Sequence, residues 1–148
     1  MTHTTILAVP KSLGTSITIP LEMLSAANDI ARARKQADKI IEIDIAGPVS
    51  GNISLSGNLL MQCNKVLDEI NRTDLIFVPG IWGNPKAAVK KHPDLVDWLK
   101  DQYHNGATIC SIVTGSYFLA EAGLLDGKSA TTHWRFFDQF ENLFPAVK

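Results

Sequence analysis

The chain has no excess of charge of either sign: 14 lysine and arginine residues stand against 15 aspartate and glutamate residues, for a formal charge of -1. Such a surface exerts no long-range attraction on a phosphate backbone, so nucleic acid is a poor candidate for a direct partner. Long apolar runs are missing too. Nothing approaches the ~20 residues that cross a bilayer, and the opening Ile6-Leu7-Ala8-Val9, closed by Pro10, is too short for a signal peptide. The expectation is a cytoplasmic protein with no membrane partner. Cysteine is scarce. Cys63 and Cys110 lie in apolar stretches without CxxC spacing, which argues against a disulfide framework and a metal site and marks both as buried thiols. Repeats, linkers and low-complexity tracts are absent, and no cofactor is expected.

What remains is a chain of 148 residues, 45% of them hydrophobic, enough for one globular domain over residues 1–148 with a real core. Short apolar runs rich in β-branched residues alternate with stretches of helical spacing, the pattern of an α/β fold with helices on both faces of a parallel sheet. Strands are expected at Thr4–Val9, Ile40–Ala46, Asp74–Val78 and Thr108–Ile112, the last two central, with a short one at Ser129–Thr131. A weaker extended region, Ile53–Cys63, reads as an excursion at the sheet edge, and Val66–Ile70 as a short helical piece. A first helix has Pro20 near its start and Leu21, Leu24, Ala27 and Ala31 on one face. Pro85–His104 reads as helical with a break at Pro93, after which Val96, Leu99 and Tyr103 face the core; Gly115–Ala122 and Arg135–Leu143 are the last helices.

Ligands of open α/β sheets bind outside the carboxyl ends of the strands. Three such ends stand out: Pro79 to Gly83, Ser111 to Gly115, and Thr131 to Trp134. The middle one has strand, tight turn and helix in immediate succession, a nucleophile-elbow-like geometry that holds a reactive group over a helix N-terminus and beside oxyanion-stabilising amides. The residue at its tip is Val113. A branched hydrocarbon can neither attack a carbonyl nor carry a proton.

The stretch ICSIVTGSYFLAEAGLLDGKSATTHW, Ile109 to Trp134, resembles the elbow region of the ThiJ/PfpI (class I glutamine-amidotransferase-like) superfamily. It is most similar to the branch fused to AraC-type DNA-binding domains and to the related isonitrile hydratases. Val78 to Gly80 and Pro20 to Glu22 are similar to that family as well. The resemblance implies a flavodoxin-like sandwich, a homodimer, and a domain that continues for another strand and helix beyond Phe144-Pro145, so that this chain is expected to be a fragment of a longer protein. The family's cysteine falls on Val113 and its acidic residue on Ser16, so both catalytic positions are lost; the family's histidine falls on His133 and is retained. Ile81 stands where many members have a second glycine.

The function that follows is a non-catalytic one: the effector-sensing, dimerising domain of an AraC-type regulator, whose DNA contacts belong to a domain outside this chain. Ser16, Gly80, Ile81, Trp82, Val113, Thr114, His133 and Trp134 are the candidate lining of a pocket for an unknown small molecule. The bland readings stand beside these. Trp82 and Trp134 also suit core or dimer packing, His133 a satisfied structural role, Thr114 and Ser116 helix capping, and Trp98 the core; His3, His104 and the Lys90-Lys91-His92 run carry no assigned function. The alternatives are an enzyme of the same superfamily, a hydrolase or isonitrile hydratase using Cys110 or another group, and a purely structural partner subunit.

Overall fold

The computed structural model of the protein describes residues 2–148. Its centre is a five-stranded parallel sheet of β1 (Thr2–Leu7), β2 (Ile41–Gly47), β5 (Lys65–Val66), β6 (Leu75–Val78) and β7 (Thr108–Ser111), in the spatial order β5-β2-β1-β6-β7. The antiparallel pair β3 (Gly51–Ser54) and β4 (Leu60–Cys63) forms a separate ribbon, which gives the expected excursion its own two-stranded sheet. The helices are α1 (Thr15–Ala33), α2 (Pro85–Lys91), α3 (Pro93–His104), α4 (Ser116–Glu121) and α5 (Phe137–Leu143). The break between α2 and α3 lies at His92, and each helix opens with a proline at its first position, where the missing N–H costs nothing.

Two apolar clusters cover the two faces of the sheet. Leu7, Val9, Ile76 and Val78 pack with Leu95, Leu99, Tyr117 and Phe118 on one side. On the other, Ile6, Ala8 and Ile17 pack with Ile53 and Leu55 of the ribbon region. Because side chains alternate along a strand, β1 feeds both clusters in turn. It is fully buried from Thr4 onward.

Several expectations are corrected. α1 starts at Thr15, so Pro20 lies inside it; among its expected inward residues Ala27 is exposed, and Asn28 is buried instead, holding the Ile41 backbone through both halves of its amide. Tyr103 is 41% exposed, since the inner face of α3 runs through Leu95, Leu99 and Gln102. Residues 129–131 form no strand, because their backbone partner is the chain end: Ala130 N–H donates to the Lys148 carbonyl. β7, expected to be central, has a sheet neighbour on one side only, β6, among the described residues. Cys110 is therefore exposed and not buried, for alternate β7 residues face a side that no described element covers; Cys63 is buried as expected.

Candidate functional site at the carboxyl ends of the strands

Val113 follows β7 after one residue and opens a single 3₁₀ turn that runs into α4. Its φ of 53° is left-handed, a conformation that costs a β-branched side chain strain. The turn is held from behind: the Ile112 N–H donates to the Val78 carbonyl, and the Gly115 N–H closes on the Ile112 carbonyl. The side chain is 42% exposed and projects beside Gly80, at whose α-carbon an added Cβ would lie 3.4 Å from the Val113 Cβ.

The loop after β6 is zipped to the loop after β1. Leu13 N–H donates to the Gly80 carbonyl, Trp82 N–H to the Lys11 carbonyl, and Ser12 and Ile81 form an isolated antiparallel bridge. Two side-chain hydroxyls then occupy amides that face the turn. The Gly80 N–H donates to Ser16 Oγ over 3.2 Å, while Ser16 donates to the Leu13 carbonyl. The Ile81 N–H donates to Thr114 Oγ1 over 2.8 Å, and that hydroxyl donates back to the Ile81 carbonyl. Both amides are thereby satisfied within the chain, and the Thr114 hydroxyl has its proton engaged. The Ser116 hydroxyl donates to the Val113 carbonyl. None of the three hydroxyls is presented as a nucleophile.

Ser16, Gly80, Ile81, Val113 and Thr114 thus form one connected group. Thr132, whose role sequence reasoning did not identify, lies near the Val113 carbonyl at 3.5 Å and brings in the third strand end. There His133 accepts the Arg135 N–H through Nδ1, which leaves Nε2 as the protonated nitrogen of the neutral ring, and the ring lies 5.3 Å from that of Trp134. Trp134 is 74% exposed and Trp82 65%, so neither is a core residue. A cleft of about 240 Å³ lined by Thr131, Thr132, Phe137, Phe140 and Phe144 shares Thr132 with the group. Lys11, Ser12 and Leu13 also belong here; the only sequence signal for them is that they follow Pro10 at the end of an apolar strand. Chemically, the arrangement offers apolar and aromatic surface and one imidazole.

A family model described as the DJ-1/PfpI family matches residues 15–144. The HTH-type transcriptional regulator CdhR of Pseudomonas aeruginosa is 40% identical over 97 residues, which make up 66% of this chain and 28% of that protein. The isonitrile hydratase of Pseudomonas putida is 31% identical over 91 residues, 62% of this chain and 39% of the enzyme. The matched stretch is therefore well under half the length of either relative. Among solved structures, an AraC family transcriptional regulator from Pseudomonas putida superposes with a TM-score of 0.81 at 19% identity, over 100% of this chain and 75% of that one, a likeness of fold. No helix among the described residues is long and apolar enough to cross a membrane.

Proposed function

The chain belongs to the DJ-1/PfpI family, and from that premise we propose that it is the effector-binding and dimerising module of an AraC-type transcription regulator, with DNA bound by a domain outside these residues. The observation that carries the reading is the state of the turn at Val113. The tip holds a hydrocarbon, and the amides of Gly80 and Ile81 that face it are spent on Ser16 and Thr114. Catalysis at such a turn needs a nucleophile and free donors aimed at the developing oxyanion. Binding needs only shape, apolar surface and a few polar contacts, which Val113, Trp82, His133 and Trp134 offer to a small molecule. The similarity to the regulator CdhR supports the same reading.

Dimerisation is supported by α1. Ile19, Met23, Ala26 and Ile30 are exposed and fall within about 60° of one another at 3.6 residues per turn. An apolar stripe on a two-fold related helix is self-complementary. A ligand at the turn acts on DNA only by binding two arrangements of that dimer with different affinity.

The test uses the full-length protein, with and without residues 1–148, and measures operator affinity, tryptophan fluorescence on titration with small metabolites, and turnover of isonitriles and amides. Expected are background turnover, a fluorescence change lost in Trp134→Ala, and a metabolite-dependent operator affinity that needs residues 1–148. The similarity to an isonitrile hydratase favours a second reading, an enzyme. Turnover abolished by Cys110→Ala or His133→Ala would establish it and sink the first.

A further inference from the structure

At the end of the sheet opposite the Val113 turn, three metal-ligating side chains converge. The parallel register of β1 and β2 pairs His3 with Glu42 and Thr5 with Asp44, which puts His3, Glu42 and Asp44 on one face of two adjacent strands. Their ligand atoms, one from each residue, all lie within 4.8 Å of one another. We propose that His3, Glu42 and Asp44 form a binding site for a divalent first-row transition ion of the Zn²⁺ class.

The imidazole is oriented as a metal ligand is. Its Nδ1 lies 3.0 Å from the Arg72 carbonyl, which can only accept, so Nδ1 carries a proton and Nε2 is the nitrogen turned toward the carboxylates. A backbone carbonyl on the far nitrogen is the usual second partner of a ligating histidine. Asp44 is held in the same way: Asn64 donates to its Oδ1 over 2.8 Å, and its Oδ2 faces His3 Nε2 at 2.9 Å. Asn64 is in turn pinned by the Ile45 N–H.

Separations and charge both suit a cation. Nitrogen and oxygen ligands sit about 2.0–2.2 Å from a tetrahedral Zn²⁺, so ligand atoms around one ion are roughly 3.3–3.6 Å apart. The His3–Asp44 pair, 2.9 Å apart, has to open by about half an ångström to take an ion between them, and Glu42 is exposed and free to approach by rotation. A divalent ion on a neutral imidazole balances both carboxylates. The carboxylate of Asp74, hydrogen-bonded to the His3 N–H at 2.9 Å, adds to the negative field. Imidazole with two carboxylates selects a Zn²⁺-class ion over Mg²⁺ or Ca²⁺, which prefer all-oxygen sites. The open positions go to water.

The test is calorimetric titration of the untagged protein with Zn²⁺, in a Cys110→Ser background that removes the exposed thiol, with Co²⁺ absorption as a second readout. Expected are one Zn²⁺ per chain, at least tenfold weaker binding in Glu42→Gln, loss in Asp44→Asn and His3→Ala, and no change in His104→Ala. Because Glu42 is exposed, its substitution leaves the fold intact and keeps the proposal testable if the His3 and Asp44 variants unfold. No uptake, or uptake that Glu42→Gln leaves unchanged, would overturn it.

Discussion

Val113 is a residue held in a conformation that its own side chain resists. A β-branched residue at positive φ costs about 1–3 kcal/mol, and the side chain recovers little by burial because it is 42% exposed. Glycine meets that backbone without strain, although its freer unfolded chain gives back part of the gain. Val113→Gly is therefore expected to raise stability by about 1 kcal/mol, read as a higher midpoint in urea with an unchanged slope; a lowered midpoint would mean that valine fits the turn without strain. The position of Val113 at a strand-to-helix turn was legible in the sequence, from the apolar run that ends at Ile112 and the Thr-Gly that follows. The plugging of the Gly80 and Ile81 amides by Ser16 and Thr114 was not. Those contacts join residues 64 and 33 positions apart, and only the pairing of three loops brings them together. The same holds for His3 and Asp44, whose meeting depends on the register of two strands that no local pattern specifies.

At the scale of elements, α4 shows how a helix can be brought closer to a strand than a side chain permits. Gly115 has ordinary helical dihedrals, so it is not there for a turn. A Cβ on it would lie 2.5 Å from the Val78 carbonyl oxygen and 2.9 Å from that of Pro79, and neither backbone atom can yield. Gly115→Ala should force the helix start off β6 and cost about 1–3 kcal/mol, the range for overpacking. Thermal unfolding measures this; a melting temperature equal to wild type would show that the approach is looser than described. Helix faces were only partly readable. The 3.6-residue period placed Leu24, Ala31 and Leu99 inward correctly, but it counts hydrophobicity alone. It therefore passed over Asn28 and Gln102, buried because each satisfies backbone groups of a neighbouring segment: Ile41 for Asn28, Ile70 and Asn71 for Gln102.

At the scale of the whole molecule, strand order decides what the sequence could not. An apolar run such as Thr108–Ile112 reads as a buried strand wherever it sits in a sheet, and only the order β5-β2-β1-β6-β7 shows that among residues 2–148 it has a neighbour on one side alone. The two thiols separate accordingly. In the segment of residues 1–148, Cys110 is exposed and expected to react with iodoacetamide like an unhindered cysteine, whereas burial both shields Cys63 and pushes its thiol pKa up. Peptide mass spectrometry of the folded protein should show Cys110 modified first, with Cys63 following only on unfolding; equal rates would contradict the strand order. That order also sets a clock for synthesis. β1 is synthesised well before β6, yet it lies in the interior of the sheet, with Thr4 beside Ile43 on one side and Leu75 on the other. At about 5–20 residues per second, roughly 4–14 s separate the emergence of Thr4 from that of Leu75. Through that interval the nascent chain carries the apolar Ile6-Leu7-Ala8-Val9 with at least one flank of its strand unpaired.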